Sequence, residues 1–195
     1  MFTMAHIAIL GLGNWGTAIA RMWLEDGHHV KGWTIEQEVY ESITMNGVNE
    51  KYLPDHPVEA MEATMHIEEA LDGVEIVVLA VPSSVILDVV DQIIPHLRPG
   101  HVLLDLAKGL APGSQLISQA IHEKLNAAEK NNPLAVVTGP TIAPEAAGGV
   151  MTTALVASED VSVAQHLAST LTTQTFILHP AADPAGAELW GAFKN

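Results

Sequence analysis

The stretch "HIAILGLGNWGTAIARMWLEDG" (residues 6–27) decides how this chain is read. It opens on a short apolar run with the length and composition of a buried strand. Gly11, Gly13 and Gly16 follow at once. After them Ile19, Met22 and Trp23 recur at helical spacing until Asp26-Gly27 stops the helix. A strand turning through three glycines into a helix is the pattern of a dinucleotide site. The first glycine makes the tight turn, the second lets backbone approach a pyrophosphate, and the third lets the helix pack on the strand. The phosphates then rest on the unpaired N–H groups of the helix start.

The next apolar run, "HHVKGW" (28–33), closes the unit. Glu36 lies about twenty residues beyond Gly16, where a carboxylate meets the adenosine ribose 2′-hydroxyl. No arginine stands beside it for a 2′-phosphate. The expected cofactor is therefore NAD, with NADH preferred over NADPH and NADP as the alternative. The competing reading of Glu36 is a solvated acid at a helix start.

Further apolar runs occur at 63–67, 75–81, 101–107, 134–139, 152–157 and 175–179. Amphipathic segments alternate with them, such as Val85 to Leu97, Leu116 to Leu125 and Val161 to Leu171. Runs so rich in Val, Ile and Leu suit strands covered on both faces. The alternation predicts an α/β fold: a doubly wound, mostly parallel sheet with helices on both faces. Residues 1–182 read as one nucleotide-binding domain. Residues 183–195 read as the start of a further helix, in which Asp183 caps, Pro184 takes the first turn, and Leu189, Trp190 and Phe193 follow.

Composition narrows the function. The 195 residues hold 8 Lys and Arg against 23 Asp and Glu, a formal charge of −15. Such a field repels polyanions, so nucleic acid is not an expected partner. With no cysteine there is no disulfide scaffold, thiolate nucleophile or Cys-bound metal, which fits a cytoplasmic protein. The apolar start lacks a basic leader, and no run has the length of a membrane span, so no membrane insertion is expected. The ten histidines, among them His28, His29, His101, His122 and His179, mostly read as solvated or incidental and show no ligand spacing, so no metal site is assigned.

Because positive charge is scarce, a lysine inside a motif stands out. Lys108 follows a buried strand in "VLLDLAKGL", at the edge where open α/β sheets place ligands. "VVTGPTIAPEAAGG" (136–149) ends another strand at that edge, and Lys194 falls in the terminal helix.

"GLGNWGTAIA", "KYLP", "AVPS", "AKGL", "GPTIAPEAA" and "GAELWGAFKN" follow one another in that order. Together they resemble the N-terminal, Rossmann-like domain of the soluble NAD(P)-dependent glycerol-3-phosphate dehydrogenases. The resemblance implies reversible, NADH-dependent reduction of dihydroxyacetone phosphate to sn-glycerol 3-phosphate, a step in phospholipid biosynthesis. It implies that Gly11, Gly13, Asn14, Trp15 and Gly16 carry the cofactor, together with Glu36, Tyr52, Lys108 and Ala143. It puts Lys108, Gly139, Thr141 and Lys194 on the substrate, with Lys194 the catalytic lysine and Lys108 its orienting partner. Family members continue into a helical C-terminal domain with further phosphate contacts and much of the dimer interface. A homodimer is expected only with that domain, and the isolated chain is expected to bind cofactor while turning over feebly or not at all. Thr141 stands for the commoner serine. Trp190 stands for a glycine and is expected to crowd the terminal helix against the sheet.

Two other readings remain at this point. One is a non-catalytic nucleotide-binding module or remnant. The other is a related β-hydroxyacid dehydrogenase or ketopantoate-type reductase, which should lack "GPTIAPEAA" ahead of "GAFKN".

Overall fold

The computed structural model describes residues 4–193. The quoted stretch forms β1 (His6–Leu10) and α1 (Asn14–Glu25), followed by β2 (His29–Trp33) and α2 (Gln37–Asn46). A short hairpin, β3 (Val48–Asn49) and β4 (Leu53–Pro57), precedes β5 (Glu62–Thr64) and α3 (Ile67–Ala70). Then come β6 (Ile76–Leu79), α4 (Ile86–Ile93), β7 (Val102–Asp105), α5 (Ile117–Ala127) and β8 (Leu134–Thr138). The chain closes with α6 (Ala143–Ala147), β9 (Thr152–Ala157), α7 (Val161–Leu171), β10 (Phe176–Ala181) and α8 (Pro184–Phe193).

Eight strands form one sheet in the order β10-β9-β8-β7-β6-β1-β2-β5, parallel except where β8 meets β9. The expected doubly wound sheet is present. From β1 the chain winds out through β2 to β5, then crosses back to β6 on the other side of β1. That reversal opens a crevice at the carboxyl ends of β1 and β6, the place where such sheets bind ligands. The reversed β9 has a local cause. After β8 the chain makes only the short α6, which stays beside α1, with Arg21 Nε donating to the Ala147 carbonyl at 3.2 Å. It therefore re-enters the sheet from the edge it left.

The central strands β1 and β6 are buried throughout except at His6. One apolar layer gathers Ile7, Ile9, Ile19, Met22 and Trp23 beneath α1. The opposite layer gathers Leu10, Val77, Leu79, Ile86, Val90 and Ile121 beneath α4 and α5. Trp23 satisfies its indole N–H on the Leu171 carbonyl at 3.0 Å, so this large ring is buried without a stranded donor.

Two histidines depart from expectation. His28 and His101 are buried, not solvated, at 5% and 2% exposure. Each offers Nδ1 to a backbone N–H, that of Ala5 at 3.1 Å and of Arg98 at 3.2 Å. Burial pushes both rings below the usual histidine range, which keeps Nδ1 available as an acceptor. They pin loops at the amino end of the sheet, away from the crevice. Among the described residues no helix is long and apolar enough to cross a membrane, and no group of three His, Cys, Asp or Glu could hold a metal.

Candidate functional site

A cleft of about 990 Å³ runs across the carboxyl edge of the sheet at the reversal. Gly11, Gly13, Asn14 and Trp15 form its floor, Thr34, Ile35, Glu36 and Tyr52 one end, and Lys108, Thr141 and Ala143 line it from the β7 and β8 side.

Each glycine of the turn is explained separately by its surroundings. Gly11 sits at φ +108°, which L side chains rarely adopt, and a Cβ there would lie 2.8 Å from Val81 Cγ1. A Cβ on Gly16 would lie 2.0 Å from the Gly11 carbonyl oxygen, so only glycine lets α1 seat on the turn. Gly13 is different: its backbone is ordinary (φ −75°) and nothing lies within 4 Å of where its Cβ would stand. That open space faces the start of α1, whose first turn has neither a side-chain cap on Gly13 nor an acid. The helix start therefore suits an anion, and the empty Cβ position fits a backbone-hugging pyrophosphate. The cleft fits a dinucleotide on these grounds.

The hairpin brings Tyr52 of "KYLP" into place. Asn49 is fully buried and donates from Nδ2 to the Leu12 carbonyl and to Thr17 Oγ1, both at 2.8 Å. Its Oδ1 accepts the Tyr52 N–H at 3.2 Å. This one amide ties the hairpin to the glycine turn and carries Tyr52 to the cleft. Tyr52 then donates its hydroxyl to Glu36 Oε1 at 2.9 Å, and Lys51 Nζ lies 2.5 Å from Glu36 Oε2 and also bonds Glu38. The lysine, and then the tyrosine, hold the Glu36 carboxyl below its ordinary range, and the carboxylate in turn raises both partners. Glu36 is thus both helix-start acid and cleft residue, as the N-cap of α2.

At the other side, Lys108 Nζ donates to Thr141 Oγ1 at 3.1 Å, joining the loops after β7 and β8. Gly139 does not line the cleft. A Cβ there would stand 2.8 Å from the Thr153 carbonyl oxygen, so its role in the fold is the close passage of β9. Gly16 likewise packs beneath the cleft without lining it. Lys194 lies outside the described residues.

The helix that leads to Lys194 is fastened by a residue the sequence reading passed over. Glu188 is buried at 5% exposure and accepts the Ile117 and Ser118 N–H groups and the Ser118 hydroxyl at 2.5 Å. Its carboxylate therefore caps the start of α5 in trans, where a helix favours negative charge. On the same helix Gly191 passes so close to β8 that a Cβ would meet Thr138 Oγ1 at 2.5 Å. Trp190 does not crowd the sheet as expected. It is 78% exposed, because two residues on from the buried Glu188 it has turned about 200° around α8.

Asp105, at the end of β7, was also missed. It is 2% exposed and accepts the Ala107 N–H at 2.8 Å. Burial, offset in part by that bond and reinforced by Glu188, pushes its carboxyl up to about 8. The signal was present in the sequence as an acid inside the apolar run "VLLDLA" (102–107).

Comparison with known proteins places this geometry. Residues 6–164 match the model of the NAD-dependent glycerol-3-phosphate dehydrogenase N-terminus. A glycerol-3-phosphate dehydrogenase [NAD(P)+] of an Exiguobacterium species is 38% identical over 98% of this chain and 57% of its own length. One from Acidobacterium capsulatum is 37% identical over 98% of this chain and 59% of its own. The crystal structure of the Coxiella burnetii glycerol-3-phosphate dehydrogenase superposes with a TM-score of 0.86 at 32% identity, covering 96% of this chain and 57% of that one. The chain thus spans less than three-fifths of the length of these relatives.

Proposed function

The chain belongs to the NAD-dependent glycerol-3-phosphate dehydrogenase family, an oxidoreductase family with a Rossmann nucleotide-binding domain, and from that premise we propose its part in the reaction. The proposed reaction is the reversible reduction of dihydroxyacetone phosphate to sn-glycerol 3-phosphate, carried out by this domain within a longer, homodimeric protein in the cytoplasm. When bound, the nicotinamide cofactor supplies or accepts the electron pair. The chain's own residues hold and polarise.

Gly11, Gly13, Asn14 and Trp15 would cradle the pyrophosphate, with Gly16 seating α1 beneath it. Glu36 and Tyr52 would hold the adenosine ribose, and Ala143 would border the nicotinamide. Reducing the ketone puts negative charge on its oxygen, and an ammonium within hydrogen-bond reach stabilises that charge and can deliver a proton. We assign that proton delivery to Lys194 and the orienting cation to Lys108, with the Thr141 hydroxyl on the substrate side. The single observation that carries this reading is the 3.1 Å bond from Lys108 to Thr141 at the cleft. It joins loops 33 residues apart at the edge that also holds the glycine turn.

The test follows nicotinamide absorbance with dihydroxyacetone phosphate, for the chain alone and fused to the downstream part of the Exiguobacterium relative. The fusion is expected to turn over, and Lys108→Met in it to lose about 10²- to 10³-fold in kcat/KM, the scale of one removed electrostatic stabiliser. NADH affinity should change far less. Full turnover by Lys108→Met would overturn the assignment, and NADH binding with no turnover in the fusion would favour the non-catalytic module.

A further inference from the structure

We infer that Lys51 sets the choice between the two nicotinamide dinucleotides: it is the cation that offsets Glu36 and admits a ribose 2′-phosphate. The inference rests on the reading of the cleft as a dinucleotide site and deepens it at the adenosine end.

A carboxylate at the 2′ position welcomes a hydroxyl and repels a phosphate of nearly two negative charges. This chain worsens the repulsion, with its formal −15 and with Glu38 beside Glu36. On that ground alone NADPH should be excluded. Yet Lys51 Nζ sits 2.5 Å from Oε2 of Glu36, which lines the cleft, and it arrives from the hairpin, outside the strand and turn where an arginine for this task is ordinarily sought.

Two features make this lysine more than a surface ion pair. Its backbone is fixed between two anchored neighbours: Asn49 is bonded to the glycine turn, and Tyr52 donates to Glu36. The ammonium is therefore delivered to the ribose corner by the same device that builds the cofactor floor. Its side chain is 40% exposed, so the head can swing to an incoming phosphate, giving up its hold on Glu36 and Glu38 and its place 5.4 Å from the Tyr52 ring centroid. With a 2′-hydroxyl in place, Lys51 keeps its hold on Oε2 and steadies Glu36 as the acceptor. With a 2′-phosphate it would turn to the new oxygens, exchanging one charge-assisted contact for another and placing a cation between the phosphate and the carboxylates. Selectivity then comes from a movable counter-ion, and the preference for NADH is moderate.

The experiment titrates the chain with NADH and with NADPH by calorimetry and compares dissociation constants. Lys51→Met is expected to weaken NADPH about tenfold more than NADH, since a phosphate then faces uncompensated carboxylates. Glu36→Gln is expected to improve NADPH about tenfold relative to NADH. The double variant should lose that gain, because the cation that produces it is gone, and Lys51→Arg should keep the wild-type ratio or favour NADPH. If Lys51→Met moves both cofactors equally, its role is only to support the hairpin and the inference fails. A gain that survives in the double variant would sink it as well. Wild-type chain that takes up neither dinucleotide would remove the cofactor reading itself, whereas NADH uptake with an unchanged ratio removes only the role of Lys51.

Discussion

Replacing Gly13 with alanine is expected to leave the folded chain as stable as before while weakening NADH binding at least about tenfold. Replacing Gly16, three residues on, is expected to do damage of another kind. At Gly13 the backbone already has a conformation open to any residue, and the added methyl meets no protein atom within 4 Å. Stability should stay within about 0.5 kcal/mol. The methyl instead fills the space through which backbone approaches the pyrophosphate, and a loss of about 1.4 kcal/mol or more is a tenfold change in affinity.

Gly16 inverts the result. Inside a helix, alanine ordinarily improves on glycine by about 1 kcal/mol. Here its Cβ would lie 2.0 Å from the Gly11 carbonyl oxygen, a backbone atom that cannot swing aside. Either α1 lifts from the turn or the turn opens. Overpacking of this kind costs about 3 kcal/mol or more. Urea denaturation followed by tryptophan fluorescence, with NADH titration of whatever remains folded, separates the two variants. Equal stability loss in both would refute the division of labour between the glycines.

The contrast shows how far the sequence could be read. Gly11, Gly13 and Gly16 announce a turn because strand, glycines and helix lie next to one another, and a local pattern carries all the information. Lys108 and Thr141 were legible as residues at strand ends, and the sheet brought their loops together. The hairpin was not legible: β3 is two residues long, and its anchor is the buried Asn49, an amide whose partners Leu12 and Thr17 are remote in sequence. His28 and His101 read as surface residues because their burial depends on backbone N–H groups that only the folded loops present. Glu188 looked like one more acid in an acidic chain. Its meaning depends on the start of α5, some 70 residues away. Polar residues whose partners are distant backbone groups carry no period, so pattern reading passes over them.

Asp105 is the sharpest case, and it yields the remaining prediction: the chain should lose stability as pH rises from about 4 to about 8, and Asp105→Asn should abolish most of that loss. In the folded chain the carboxyl is pushed up to about 8, first by burial and further by Glu188. In the unfolded chain it returns to about 3.9. Between those values the folded state keeps a proton that the unfolded state has released. Stability therefore falls with rising pH across the window, is unaffected by this group below it, and stays at the lower level above it. Each pKa unit corresponds to about 1.4 kcal/mol, so the full effect is on the order of 5 kcal/mol. Asparagine keeps an oxygen for the Ala107 N–H and cannot ionise. The variant should match the wild type near pH 4 and exceed it by several kcal/mol at pH 8.5, measured as urea midpoints at a series of pH values. Parallel pH profiles for the two proteins would refute it. The result bears on the site, because Asp105 stands three residues before Lys108 and holds the backbone that leads to it. Its bond to the Ala107 N–H fixes the start of the loop from which Lys108 reaches Thr141.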